Sequence, residues 1–188
     1  MEVGLNRVKR IENFKLKIVN LKFFMENMNP RSQNEKNFVD SAPPNTVAFR
    51  LASDPKLLKI VRLGIGHLCD LAGFPEEHRH RAMLAVDEAC SNIIQHAYDG
   101  ATDKPIIITA SLIENGIEVV LRDYGKKADP EKFKSRELDD IRPGGLGVHL
   151  MRSAMDAVVY DNSLPEGNQL TLIKYLPQPR SDSPEEVR

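Results

Sequence analysis

A carboxylate and an amide stand one helical turn apart in the stretch AVDEACSNIIQHAY, residues 85–98: these are Glu88 and Asn92. At positions i and i+4 of a helix their Cβ atoms lie about 6 Å apart, which sets an acceptor-only group beside a neutral oxygen ligand. Such a pair suits a hard cation and a reacting hydroxyl, although a solvated helix face carries the same residue types. At about 100° per residue, Met83, Val86, Ala89, Cys90, Ile93, Ile94 and Ala97 share one arc, and Asp87, Glu88, Ser91, Asn92, Gln95 and His96 share the other. The stretch is therefore predicted to be an amphipathic helix.

Three further stretches carry groups of chemical interest. RDYGKKADPEKF places Asp123 at the end of an apolar strand with Gly125 two residues on. A carboxylate there can accept from an exocyclic amine while the glycine lets a flat base lie against the backbone; a plain turn has the same pattern. In RPGGLGVHLMRSAMDAV, Gly144, Gly145 and Gly147 lead into a helix, where free N–H groups and the positive end of the dipole converge on a site for phosphates. No Gly-Lys-Ser/Thr follows and no parallel βαβ unit frames the glycines, which excludes the Walker and Rossmann loops. The last stretch, NQLTLIKYL, is a strand with a hydroxyl at Thr171.

The elements that must position these groups follow from periodicity. TVAFRLAS alternates as a strand with one buried face. Ser53 or Asp54 with Pro55 starts a helix that Gly73 stops, and Gly64 and Gly66 inside it imply a close helix crossing. A second helix begins at Glu76 and ends near Asp99 and Gly100. Two strands then flank Glu114-Asn115-Gly116, a hairpin turn, and residues 126–143 form a charged loop bounded by glycines. A helix over residues 147–157 and strands over 158–161 and 168–176 complete an α+β fold, with helices on one face of a mixed, mostly antiparallel sheet.

At 188 residues the chain suits one domain, residues 46–176, with an extension or linker over 1–45 and a disordered tail over 177–188. Lys and Asn alternate with Ile, Val, Leu and Phe before Met25, the pattern of a short amphipathic helix that docks on a partner; an upstream choice of start codon gives the same stretch. A net charge of -1, no basic stripe and no Trp argue against direct nucleic-acid binding. Nothing reads as a leader or a membrane span, and Cys69 and Cys90 read as buried free thiols, so a cytoplasmic protein is expected.

Taken in order, ASDPKLLKIVRL, AGFPEE, LAVDEACSNIIQHAY, RDYGKKADP, GGLGVHLM and LTLIKYL resemble the GHKL ATPases, and within them the RsbW-like anti-sigma-factor serine/threonine kinases. The resemblance covers residues 47–176 and implies the Bergerat ATP-binding sandwich with ATP and Mg2+ as cofactors. By position it implies Glu88 as the catalytic base and Asn92 as the magnesium ligand. Asp123 and Gly125 would take the adenine, with Thr171 supporting through water, and Gly144, Gly145, Leu146 and Gly147 would line the phosphates beneath a lid. It further implies a STAS-type anti-sigma-factor antagonist as substrate, a sigma factor as the sequestered partner, and a homodimer. Lys127 stands where the wider superfamily has a second glycine, a departure shared with the serine-kinase branch. His96 and His149 are assigned structural or lid-side places. No phosphorylatable-histidine hairpin precedes the fold. The alternatives are an ATP-binding module that controls a protein partner without phosphotransfer and, more remotely, a metabolic enzyme on an unrelated α+β fold.

Overall fold

A computed structural model describes residues 44–128, 146–161 and 163–177. β1 (Thr46–Ala52) keeps Phe49 and Leu51 half-buried against an exposed Arg50, whereas Val47, expected on the buried face, is 41% exposed near the strand's start. Asp54 then accepts from the Lys56 amide at 2.9 Å and caps the turn Pro55–Leu57, supplying a partner for an N–H that a helix start leaves unpaired. α1 (Leu58–Ala72) runs from there to Gly73, whose φ of +84° is the left-handed conformation that a side chain resists.

α2 (Glu76–Asn92) buries Ala82, Ala85, Val86, Ala89 and Cys90, so its contact stripe is made almost wholly of small side chains. That lets it pack closely on α1, where a Cβ at Gly66 would come within 3.0 Å of Met83 Sδ. β2 (Pro105–Ile113) and β3 (Gly116–Asp123) form the hairpin, with Asn115 at φ +61° in its turn. α3 (Leu146–Ala154), β4 (Ala157–Asp161) and β5 (Asn168–Tyr175) follow. The expected N-terminal extension, most of the expected loop and the C-terminal tail fall outside the described residues.

The strands make one sheet in the order β1-β2-β3-β5-β4, and all four pairings are antiparallel. Side-chain alternation divides it into two faces. Ile106, Ile108, Ile117, Val119, Leu121, Leu170 and Leu172 belong to a core shared with Ile65, Val86, Ile94 and Met151 of the helices and the turn after α2. Each large aliphatic side chain fully buried there contributes about 1.5–3 kcal/mol before entropy is counted. The residues between them point to the other face. Lys174, on the helix side, donates through Nζ to the Ala154 carbonyl at 2.6 Å, placing a cation at the C-terminal end of α3.

Candidate active site

α2 presents Glu88 and Asn92 on its half-buried side. After Asn92 the helix departs from the uniform periodicity expected over residues 85–98 and widens into a π-turn, Ile93–Ala97. The Tyr98 amide donates to the Ile93 carbonyl at 3.0 Å, and the Gly100 amide donates to that of Ile94 at 2.8 Å. Insertion of an extra residue into the turn is a feature that sequence spacing does not report, and it recurs at functional sites. Here it brings Tyr98 to the end of β3: the phenol donates to the Pro105 carbonyl at 2.6 Å and accepts from the Tyr124 amide at 2.8 Å. Burial pushes that phenol up to about 12, so it remains a protonated donor.

Asp123 leaves β3 next to this anchor, 3% exposed. Its Oδ1 accepts from the Gly125 amide at 2.9 Å and from Asn168 Nδ2 at 3.0 Å, while Oδ2 lies 3.2 Å from the same nitrogen. A carboxylate has about four lone-pair positions. Oδ2, with one long contact, therefore keeps capacity for an exocyclic amine. Burial raises the Asp123 pKa above its ordinary value, against the lowering effect of the Gly125 amide, the Asn168 side chain and Arg122. Gly125 is held against the Ala97 carbonyl, which a Cβ would strike, and the next amide, Lys126 N, donates to that carbonyl at 2.9 Å.

Asn168 is the residue that sequence reasoning missed. It is the direct antiparallel partner of Asp123, and its side chain joins three segments. Nδ2 also donates to the Lys126 carbonyl at 2.8 Å, and Oδ1 accepts from the Ala128 amide at 2.7 Å. Thr171, expected to support Asp123, does not meet it. It lies between Leu170 and Leu172, both in the helix-side core, so strand alternation turns it to the opposite face. The available signal was register: pairing the end of β3 with the start of β5 sets an amide, not the Thr171 hydroxyl, across from Asp123. Arg122 closes the same strand end, donating to the carbonyls of Asp123, Asn168 and Glu166 at 2.7, 3.0 and 2.6 Å and lying over the Tyr124 ring.

At the far end of the cleft, Gly147 in the first turn of α3 lies directly against the Glu88 carboxylate, with no room for a Cβ. The acid of α2 and the start of α3 are thus brought into contact across the cleft. Tyr160 of β4 lies within electrostatic reach of both ends: burial foremost raises its phenol, Arg152 opposes the rise, and Asp123 and Glu88 add to it. Gly144 and Gly145 lie outside the described residues, and Leu146 is the first residue of α3. His96 and His149 are exposed. Among the described residues no group of three or more His, Cys, Asp or Glu could hold a metal ion. Both thiols are buried and pushed up to about 12 by desolvation, which makes them poor nucleophiles.

The family described as histidine kinase-like ATPase domain matches residues 51–174. A protein of Bacillus velezensis described as serine-protein kinase RsbW is 29% identical over 145 residues, covering 72% of this chain and 89% of its own length. One of Staphylococcus aureus with the same description is 31% identical over 140 residues, 69% of this chain and 86% of its own. Among solved structures, the RsbU and RsbW domains of Rv1364c from Mycobacterium tuberculosis superpose with a TM-score of 0.53 at 18% identity. That match covers 73% of this chain and 34% of the longer one, and it speaks to the fold. Among the described residues no helix is long and apolar enough to cross a membrane.

Proposed function

The chain belongs to the histidine kinase-like ATPase family, in its RsbW-like branch, and from that premise we propose that it is an ATP-dependent serine/threonine protein kinase acting as an anti-sigma factor. In this reading residues 46–176 are the catalytic domain, acting in the cytoplasm, with residues 1–45 and 177–188 as appendages. The substrate is a STAS-type anti-sigma-factor antagonist and the sequestered partner a sigma factor, with the kinase working as a homodimer. Phosphate on the antagonist adds up to about two negative charges at its interface and breaks that complex, which frees the kinase for the sigma factor.

The observation that carries the reading is the seat of the Glu88 carboxylate against Gly147 at the start of α3. A base then adjoins a helix N-terminus, which favours phosphate oxygens, and transfer to a hydroxyl requires the two side by side. Adenine recognition is assigned to Asp123, with Gly125 giving the base room and Asn168 in the supporting place expected of Thr171. Gly144, Gly145, Leu146 and Gly147 are assigned to the phosphates. Asn92 has the chemistry of a magnesium ligand, a neutral oxygen one turn from the base; the ion, when bound, neutralises phosphate charge. Glu88 takes the proton of the serine or threonine hydroxyl as its oxygen bonds to the γ-phosphorus and the bond to the β-phosphate oxygen breaks, leaving ADP. Positioning and electrostatics supply most of the rate in such a transfer, and these residues suffice for it.

The test is transfer of labelled γ-phosphate from ATP to a STAS-domain antagonist of the same cell, beside Asn92→Ala. Magnesium-dependent labelling of a serine or threonine, lost in the variant, is the expected result. Tight ATP binding without transfer to any such antagonist would overturn the kinase reading and leave a module that controls a partner through nucleotide state.

A further inference from the structure

The face of the sheet turned away from the helices is buried at its centre and mixed in character, with Arg50, Ser111, Arg122 and Gln169 on it by register and Val159 of β4 44% exposed at its edge. Ile107, Thr109, Glu118, Val120, Thr171 and Ile173 alternate with the helix-side core residues and share this outer face by register. Ile107 and Thr109 are 0% exposed, Val120 1% and Ile173 2%. Ile107, Val120 and Ile173 stand apart from the core that the helices cover. An antiparallel sheet with helices on one side leaves its other side in water unless something lies on it. Flanking strands shield such a face at its margins and not at its centre, so these exposures call for a layer that the three described helices do not supply.

We infer that this face is a docking surface and that its occupant is the chain's own N-terminal segment, residues 11–25. Three features fit that segment to the face. Ile11, Phe14, Ile18, Leu21 and Met25 recur at i, i+3, i+7, i+10 and i+14, one apolar stripe of a helix. A helix of that length spans about 22 Å at 1.5 Å per residue, and five strands spaced about 4.8 Å apart span about 19 Å between the outer two. The chemistry also matches. The face carries a buried carboxylate, Glu118, 6% exposed. Residues 11–25 carry three Lys against one Glu.

Connectivity allows the docking. Residues 26–45 lead into β1, whose Thr46 lies at the margin of this face with Oγ1 2.8 Å from Ser111 Oγ. Twenty residues reach about 60 Å when extended, several times the width of the sheet. The competing apolar stripe of the molecule, Ile60, Leu63 and Leu71 on α1, is 61% exposed at each position and so is not the covered surface. The matched family region begins at residue 51, so the strap belongs to this chain's extension and not to the shared domain. It keeps the outer face from a second copy of the chain or another partner, and the inference stands independently of phosphotransfer.

The experiment uses the full chain with Asn20→Cys, a position off the apolar stripe, carrying a nitroxide; Cys69 and Cys90 are buried and stay unlabelled. Methyl spectra are read for Ile107, Val120 and Ile173 against Ile60 and Leu63. Outer-face methyls should lose most of their intensity, and α1 methyls should keep theirs. The same loss should persist when labelled chains are diluted with spectroscopically silent, unlabelled ones, because the contact is internal. Ile18→Asp in the labelled chain should restore the outer-face signals while Leu172, on the helix side, reports an intact fold. Three results would each overturn the inference: no broadening, broadening that vanishes on dilution and so comes from a second copy, or broadening centred on α1.

Discussion

The two ends of the cleft are built in opposite ways. At the Asp123 end the polar groups have fixed partners: Asn168 and the Gly125 amide hold the almost fully buried carboxylate, leaving capacity only at Oδ2, and Tyr98 and Arg122 bind the backbone around it. At the Glu88 end the side chains are half-buried, and among the described residues neither Glu88 nor Asn92 has a hydrogen-bond or ion-pair partner. Fixed dipoles suit recognition of a rigid base, since no reorganisation is needed on binding. A carboxylate and an amide held by little else suit the roles proposed for them, engaging phosphate, cation and hydroxyl in turn. The contrast assigns affinity to one end and rate to the other.

Four changes test that division. Glu88→Gln should lower phosphotransfer by about 10²-fold or more, the range for losing a general base, with ATP affinity nearly unchanged in a direct titration. A loss of affinity equal to the loss of rate would merge the two ends. Asp123→Asn should do the reverse, weakening ATP by about tenfold or more, or about 1.4 kcal/mol, by calorimetry.

Asn168→Ala and Thr171→Val form the next pair. The first removes the Asn168 donor from the Asp123 carboxylate, which keeps only the Gly125 amide, and leaves the Ala128 amide without a partner; it should cost about 1–3 kcal/mol of stability in denaturant unfolding, with a parallel loss of ATP affinity. The second alters the outer face and should leave ATP affinity unchanged; a loss there would restore Thr171 to the site and break the assignment. The smallest effect is with pH. Burial raises the folded pKa of Asp123 above its unfolded value, so between those values the native state holds the extra proton. The destabilising contribution of the ionised group is thus complete above the folded pKa and is relieved as pH falls through it. ATP affinity, which uses the ionised oxygen, should fall over the same interval, so melting temperature and affinity shift in opposite directions there. Asp123→Asn should flatten both trends.

Local signals were legible wherever a short stretch carries its own physics. Asp54-Pro55, one of the two expected starts, and Gly73 bracket the first helix, whereas burial along β2 and β5 is nearly continuous and hides the strand period. The contact between Glu88 and the start of α3 is a different matter, because it depends on how two helices separated by a hairpin lie on one sheet. Sequence motifs could nominate both residues without showing that they touch.

What the sequence determined by itself is the inventory: an amphipathic α2 with Glu88 and Asn92 one turn apart, an Asp-x-Gly at a strand end, and a glycine-rich approach to α3. Those follow from periods of 2 and 3.6 residues and from backbone freedom at glycine, all set within a few neighbours. Tertiary structure decided the π-turn that turns Tyr98 inward, the register that pairs Asp123 with Asn168, and the face on which Thr171 lies. Each depends on contacts between residues far apart in the chain, and a one-residue shift in strand pairing would reverse every side chain involved.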